Sequence, residues 1–226
     1  MDYEFLSNTL LFKGISPDEI CSALECLSAE QKSFQKGSII HSAGSIVQTV
    51  GMVLSGSVCI ENNDIWGNKS ILDNIPAGFV FAETYACIPN EPIMVDVVAA
   101  ENTEVLFLNL NRMFTLCSNT CNKHSLLLKN LLIVSSQKNI SLSRRIFHTS
   151  SKSIRGRLLS YLSFQAAHEQ SIDFVIPFNR QQLADYLNVD RSALSNELSK
   201  MQAEGLLIVN KSHFRLNENP VWNDFV

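Results

Sequence analysis

The segment from Asn179 to Leu216 constrains the fold more than any other, because it predicts two short helices and a hairpin. Asn179 is a good N-cap for the first helix. Apolar residues then fall three and four positions apart, on one helical face: Leu183, Ala184 and Leu187. Asn188 tolerates the left-handed conformation that a tight interhelical turn needs. Asp190 is placed to cap the second helix, so we expect a helix-turn-helix.

The second helix and the residues after it extend this motif. Its apolar positions are spaced at i, i+4 and i+7: Leu194, Leu198 and Met201. Gly205 is expected to follow the last helical turn as the C′ residue. Leu206–Val209 and His213–Leu216 then read as two short strands of a hairpin, or wing. Together these features predict a winged helix-turn-helix.

The outward face of the second helix is polar and uncluttered: Arg191, Ser192, Ser195, Asn196, Ser199 and Lys200. A helix that enters the major groove needs short side chains flanked by Arg, Asn or Lys donors. A helix that is only solvated usually carries Glu–Lys pairs there instead. We therefore predict binding to double-stranded DNA, the alternative being a helical pair used only for packing.

Roles within this interface follow from side-chain chemistry. Arg191 is suited to a guanine edge and Asn196 to an adenine edge. Phosphate contacts position a protein on the duplex but do not read its base sequence. Four basic residues are expected to make such contacts: Arg180, Lys200, Lys211 and Arg215. The predicted interface also includes Gln181, Ser192 and Ser195.

Composition bounds the class of protein. The chain has 226 residues, of which 46% are hydrophobic and 18% charged, as expected for a soluble globular protein. The first ten residues lack a basic signal region, and no apolar run approaches the ~18 residues of a membrane helix. We therefore expect a cytoplasmic protein without a membrane segment.

The charge distribution is uneven. The net charge is −4, which disfavours a nonspecific nucleic-acid binder. Residues 138–157 nevertheless carry six basic residues and no acidic one. This segment precedes the helix-turn-helix, and we expect it to face DNA phosphates, the alternative being a solvated basic helix face.

The six cysteines do not form a metal-binding pattern. Two pairs lie close in sequence, Cys21 with Cys26 and Cys117 with Cys121. Neither pair has the Cys-x-x-Cys spacing that is common in metal sites. Free cysteines in apolar contexts are usually small buried hydrophobes. The sequence therefore predicts neither a metal nor another cofactor.

The first part of the chain predicts a helix and then a β-roll. Ser16 and Pro17 start a helix that reaches Leu27. Glycines then punctuate short strands: Ser38–Ser42, Thr49–Ser55, Ser57–Asn62, Lys69–Ile75, Met94–Ala100 and Glu104–Asn109. Turns about eight to twelve residues apart are typical of a jelly roll.

A long segment without glycine or proline follows, and it predicts one helix over 111–148. Apolar residues recur in it every seven positions: Leu126, Ile133, Ile140 and Phe147. So broad a stripe favours pairing with a second copy in a two-fold homodimer, although it can also pack on the β-roll. Ser151–Ala167 predicts a further helix that opens the third domain.

These elements define an α+β fold. We expect a β-roll sensor over 1–110, a dimerisation helix over 111–148 and a winged helix-turn-helix over 149–226. The order resembles the bacterial Crp/Fnr family of transcription regulators, and four segments carry the resemblance: Phe34–Gly44, Gly51–Ile60, Gly67–Glu83 and Arg180–Leu198. The resemblance implies a cyclic-nucleotide-binding-like β-roll and effector-controlled binding to promoter DNA, with RNA polymerase as a further partner.

The chain departs from the family where cyclic nucleotides bind. The family's phosphate cassette has Phe-Gly-Glu, a short loop and then Pro-Arg-Ala or Pro-Arg-Ser. This chain has Phe81-Ala82-Glu83 and then Pro92-Ile93-Met94, so Ile93 replaces the arginine that pairs with phosphate. We therefore predict a signal other than cyclic AMP, either a redox change or a small apolar or aromatic effector.

The predicted effector pocket consists of five residues: Phe81, Glu83, Thr84, Ile93 and Met94. Glu83 suits either a ribose-like hydroxyl or nearby backbone amides, and the whole pocket can equally be filled core. In the second helix of the helix-turn-helix, Asn196 stands where the family commonly has an arginine. The resemblance therefore implies an operator unlike the best-known family consensus.

Two other functions are weighed against DNA binding. A cupin-like enzyme needs a His-x-His and Glu metal set, and the sequence has no such histidine pair, so we do not expect an enzyme. A cyclic-nucleotide-type sensor that acts through protein contacts is disfavoured by Ile93 and by the intact second helix.

Overall fold

The computed structural model describes residues 1–63, 69–114 and 122–217. The chain divides into two compact units, Met1–Gln137 and Lys138–Val226. Cys117 and Cys121 lie outside the described residues, as do parts of the predicted long helix and of the segment Gly67–Glu83. In the described ranges, no helix has the length and apolarity needed to cross a membrane.

The first unit begins with two helices and continues as a β-roll. Its elements are α1 (Tyr3–Ser7), α2 (Pro17–Cys26), β1 (Glu30–Phe34), β2 (Ile39–His41), β3 (Thr49–Ser55), β4 (Ser57–Asn63), β5 (Lys69–Pro76), β6 (Val80–Phe81), α3 (Glu83–Cys87), β7 (Asp96–Ala99), β8 (Thr103–Asn109) and α4 (Leu110–Phe114). Helix α5 (Asn122–Thr149) runs on into the second unit.

Two four-stranded antiparallel sheets form the roll, in the orders β1-β8-β3-β6 and β2-β7-β4-β5. The six predicted strands are all present, within one or two residues at most ends. Gly51 on β3 pairs with Phe81 on β6, and a Cβ at Gly51 would overlap the Phe81 ring. Glycine is therefore required at this close approach.

The start of α2 confirms its predicted capping. Ser16 and Glu19 form a capping box, and Pro17 takes the first helical position. The helix buries Ile20 and Leu24 in the core beneath the roll. The same core receives three residues of α5: Leu127, Leu131 and Val134. One part of the α5 stripe therefore packs on the roll, as one of the two alternatives predicted.

Farther along α5, large apolar side chains are exposed: Leu132, Ile133, Ile140, Leu142, Ile146 and Phe147. Ile133, Ile140 and Phe147 are three of the four heptad positions. The predicted continuous helix over 111–148 corresponds to α4 and α5, with residues 115–121 outside the described ranges.

The second unit contains the end of α5 and the C-terminal domain. Its remaining elements are α6 (Ile154–Glu169), β9 (Asp173–Val175), α7 (Arg180–Leu187), α8 (Arg191–Ala203), β10 (Leu207–Asn210) and β11 (His213–Leu216). The wing is a three-stranded sheet in the order β10-β11-β9. Its first strand begins one residue later than predicted, and Lys211 and Ser212 alone form the turn. The turn is one residue shorter than predicted because Lys211 adopts a φ of 54°, a positive value that suits the first residue of a two-residue hairpin turn.

Candidate nucleic-acid interface

Helices α7 and α8 meet at the turn that the sequence predicts. Asn179 caps α7 and forms a capping box with Gln182. Asn188 ends α7 in the left-handed conformation, with φ of 53°. The helix buries Leu183 and Leu187 in the core of the domain. These local features confirm the helix-turn-helix fold.

Helix α8 is fixed at its start by Asp190. The Asp190 carboxylate accepts hydrogen bonds from the backbone N–H groups of Ser192 and Ala193, at 2.8 and 3.0 Å. The Ser192 hydroxyl donates to the same carboxylate oxygen. This hydroxyl, followed by the two amides, holds the pKa of Asp190 below its usual value. Ser192 therefore helps to cap α8 in addition to facing outward.

The outward face of α8 presents three long polar side chains. Arg191, Asn196 and Lys200 are exposed and make no side-chain hydrogen bond within the described chain. Ser195 and Ser199 lie on the same face, but their hydroxyls donate to backbone carbonyls one turn earlier. The opposite face buries Leu194, Leu198 and Met201. Arg191, Asn196 and Lys200 can therefore meet a DNA groove without first breaking a side-chain hydrogen bond.

Two of the predicted phosphate-binding residues line a common groove. The groove has a volume of about 520 Å³ beside the start of α7 and the wing turn. Arg180 lies partly buried in it, donates to the Lys211 carbonyl at 3.3 Å and stacks over the Phe214 ring. Burial lowers the pKa of Arg180. Lys211 is exposed at the wing tip.

The last two residues of the predicted DNA interface do not line this groove. Arg215 is exposed on β11, where its backbone pairs with Asp173 of β9 and Ile208 of β10. Gln181 is exposed on the first turn of α7 and donates to the Asp185 carboxylate at 2.8 Å.

Three of the six basic residues in the segment 138–157 are bonded within the C-terminal domain. Arg155 donates to the carboxylates of Glu197 and Glu204, at 2.6 to 2.8 Å, and these carboxylates raise its pKa, with Glu204 the larger cause. Arg145 and Arg157 donate to backbone carbonyls of α7 and the turn after it. These three guanidinium groups are bonded within the domain and therefore do not point freely toward a DNA phosphate. The phosphate-facing role of the segment as a whole stays a prediction. The sequence did not reveal these partners, because backbone carbonyls leave no trace in the residue pattern and the two carboxylates are distant from Arg155 in sequence.

Comparison with known protein families identifies both parts of the chain. The family described as cyclic nucleotide-binding domain matches residues 31–120, and the Crp-like helix-turn-helix domain matches residues 156–218. The chain belongs to the Crp/Fnr family of transcription regulators. No curated protein matches it in sequence. As a Crp/Fnr regulator it belongs to a family that binds DNA and is regulatory rather than enzymatic.

Solved structures show the same fold at low sequence identity. The catabolite activator protein of Thermus thermophilus is 19% identical, with a TM-score of 0.50 over 96% of this chain and 97% of that protein. CprK in complex with OCPA is 13% identical, with a TM-score of 0.62 over 90% and 93%. A CooA mutant from Carboxydothermus hydrogenoformans is 20% identical, with a TM-score of 0.56 over 90% and 89%. At these identities the likeness establishes the fold alone.

The Crp/Fnr cassette region is divided between core and surface. Phe81 and Ile93 are buried in one hydrophobic cluster, and Glu83 is buried at the start of α3. Thr84 and Met94 are exposed. Of the five predicted effector residues, the structure therefore brings Phe81 and Ile93 together in the core and leaves Thr84 and Met94 on the surface. Their role as an effector pocket stays a prediction.

His41 packs against two aromatic residues of this cluster, and the sequence did not single it out as a site residue. Its ring lies edge-on to Phe81 and Phe107, with centroids 6.2 and 5.8 Å away. Its Nε2 is buried without a hydrogen-bond partner in the described structure, and burial lowers the pKa of the ring. Burial among these aromatic rings therefore favours the neutral form of the imidazole.

Proposed function

We propose that this protein is a homodimeric, sequence-specific transcription regulator that places α8 in the major groove of a two-fold symmetric operator. The observation that carries the proposal is the outward face of α8. Arg191, Asn196 and Lys200 project from it into solvent without hydrogen bonds, above a helix anchored on its other side. Arg191 then reads a guanine edge and Asn196 an adenine edge, which contributes about 1–3 kcal/mol of discrimination each.

Phosphate contacts complete the proposed interface. The groove between α7 and the wing turn brings Arg180 and Lys211 to one surface, and Arg215 lies exposed on β11 of the same wing. Phosphate contacts fix the protein on the duplex and make binding salt-dependent, whereas the side chains of α8 supply the base preference.

The homodimer is supported by α5. Ile140 and Phe147 are exposed, one heptad apart, and Leu132 and Ile146 lie exposed beside heptad positions. Apolar side chains in this pattern on a long helix are stabilised by pairing with the same helix of a second copy. Two-fold pairing sets two α8 helices about one helical turn of DNA apart.

The proposed signal is a small molecule other than cyclic AMP, or a redox change. Ile93 stands where the family's cyclic-nucleotide binders have an arginine, and its side chain is buried with Phe81 in the roll. A cyclic phosphate therefore has no guanidinium partner at this position. RNA polymerase is the further partner expected of a promoter-bound regulator, and the cytoplasm is the corresponding compartment.

Selection of bound duplexes from a random DNA pool tests this function. The experiment uses purified full-length protein at about 0.15 M salt, where nonspecific binding is mostly suppressed. We expect enrichment of a two-fold symmetric site with half-sites about one helical turn apart. Repetition with added oxidant, reductant and cyclic AMP tests the signal. Enrichment that depends on cyclic AMP would contradict the proposed signal, and no enrichment under any condition would contradict the proposed function.

A further inference from the structure

The C-terminal end of α7 is bonded by an arginine of α5. Arg145 donates from Nε to the Tyr186 carbonyl at 3.2 Å and from Nη2 to the Asp185 carbonyl at 3.0 Å. Its guanidinium also lies over the Tyr186 ring, 5.9 Å from the centroid. The carbonyls of a last helical turn lack intrahelical donors, and a cation at that end is favoured by the helix dipole. Arg145 therefore binds the end of α7 in a chemically matched way.

A second arginine donates hydrogen bonds to the next two carbonyls of the same helix end. Arg157 on α6 donates from Nη1 to the Leu187 and Asn188 carbonyls, at 3.0 and 2.8 Å. Four consecutive carbonyls, from Asp185 to Asn188, thus accept hydrogen bonds from two guanidinium groups. Arg157 fixes α7 to its neighbour α6, whereas Arg145 fixes α7 to α5.

The direction of α8 depends on these bonds. Only residues 188–190 separate α7 from α8, and Asn188 is held in the left-handed conformation. Rotation of α7 therefore carries α8 with it. Around the same helix end, the buried ring of His148 from α5 packs 6.1 Å from the Tyr186 ring. Polar and apolar contacts from the last turns of α5 thus converge on Tyr186.

We propose that Arg145 is a positioning residue that sets the angle between α5 and α8, and thereby the half-site spacing that the dimer accepts. This inference rests on the proposed function, because spacing has meaning only for a homodimer on a two-fold operator. The planar fork of arginine matches two adjacent carbonyls, whereas a lysine ammonium cannot donate to both with the same geometry.

Two simpler roles for Arg145 lead to different results. A phosphate contact would weaken binding to every duplex and reduce the salt dependence when it is removed. A purely stabilising bond would lower the denaturation midpoint and weaken binding to one half-site and to two half-sites in proportion. A positioning residue changes binding to two linked half-sites while binding to one half-site is kept.

The test compares Arg145→Lys and Arg145→Gln with the wild type and with Arg144→Lys. Arg144 is the adjacent residue of α5, and its guanidinium lies over the Phe164 ring, 5.1 Å from the centroid. In contrast to Arg145, it makes no hydrogen bond to the α7 carbonyls among the described residues. Each protein is titrated with the selected symmetric operator, with operators whose spacer is longer or shorter by one base pair, and with a single half-site. Salt dependence and denaturation midpoints are measured alongside.

For both Arg145 variants we expect unchanged half-site affinity and salt dependence, with a loss of about tenfold on the native spacing. We also expect weaker discrimination between the three spacings, and wild-type behaviour from Arg144→Lys. Unchanged operator binding, proportional loss on half-site and operator, or a reduced salt dependence in these variants would each overturn the inference. If the wild type selects a symmetric operator and Arg145→Lys keeps its spacing preference, this inference alone fails. If the wild type selects no symmetric site, the proposed function fails first.

Discussion

Arg155 and Glu204 form a two-bond ion pair between α6 and the end of α8, with Nη1 and Nη2 each donating to one carboxylate oxygen at 2.8 and 2.7 Å. The Nε of the same guanidinium donates to Glu197 in the middle of α8. One arginine thus bonds α8 at two positions, at the middle and at the C-terminal end of the helix. Bidentate pairs of this kind are the geometrically specific form of ion pair.

Replacement of Arg155 by methionine tests this ion pair. Glu197, whose side chain is 17% exposed, then loses its partner in a partly desolvated position. We expect Arg155→Met to lower the thermal midpoint by a few degrees, and Glu204→Gln to lower it by less, because Arg155 keeps Glu197. Calorimetry of the full-length protein measures both. Equal midpoints for Arg155→Met and the wild type would contradict the structural role.

The pH dependence of stability is expected to reflect His148, which is buried, and His41, which is partly buried. Burial, and then the charge of Arg144, lower the pKa of His148 from its ordinary value of 6.5, and burial lowers that of His41. Folding therefore favours the neutral form of both rings. In the unfolded chain they take up protons near their ordinary pKa, so stability is complete above about pH 6.5 and is lost as pH falls below it.

Replacement of His148 by phenylalanine tests this linkage in the second unit. The His148 ring lies among the rings of Tyr161, Phe164 and Tyr186. A phenylalanine ring can contact the same three rings but does not titrate. Chemical denaturation across about pH 5 to 7 should show a smaller acid-side loss of stability for His148→Phe, with His41 supplying the remainder. An unchanged slope would show that His148 does not contribute.

Ala82 is expected to strain the roll. It precedes α3 with φ of 61°, a left-handed conformation that costs an alanine about 1 kcal/mol. Glycine, which the family commonly has here, adopts this conformation freely. Ala82→Gly should therefore raise the free energy of unfolding by about 0.5–1 kcal/mol. Ala86→Gly inside α3 is the matched control and should lower it by a similar amount. A destabilised Ala82→Gly would contradict the assigned strain.

The exposed stripe of α5 is expected to carry dimerisation. Ile140 and Phe147 are 50% and 67% exposed and one heptad apart. A double replacement by aspartate should give monomers at micromolar concentration, because it places charges in a paired apolar surface. Leu142→Asp is the control, since Leu142 is 60% exposed but lies off the heptad positions. Sedimentation velocity distinguishes the two forms, and a dimer that persists in the double variant would exclude this face as the interface.

The helix-turn-helix could be predicted because its signals are local. The N-caps at Asn179 and Asp190 and the left-handed Asn188 act within a few residues of their own positions. Strand β1 was missed because its residues, Glu30–Phe34, show no alternation of buried and exposed side chains. Strands β6 and β9 have two and three residues, too few for a period to appear.

Tertiary relationships explain the remaining differences. The charge of residues 138–157 was visible in the sequence, but the bonds of Arg145, Arg155 and Arg157 to α7 and α8 were not, since these partners are distant in sequence. Likewise, Phe81 and Ile93 could be assigned to one region from the cassette. Their burial in the core, with Thr84 and Met94 on the surface, depends on how β6 and α3 pack.

The base-reading role of α8 is the central claim, and selection with matched variants tests it most directly. Wild type, Asn196→Ala and Lys211→Asn are each given the same random duplex pool, asparagine being chosen at 211 because it tolerates the φ of 54° there. We predict that Asn196→Ala changes the preferred base at one position in each half-site, symmetrically. Lys211→Asn should select the wild-type sequence with weaker affinity and a smaller salt dependence. Selection of the wild-type sequence by Asn196→Ala, with only a uniform loss of affinity, would contradict the claim.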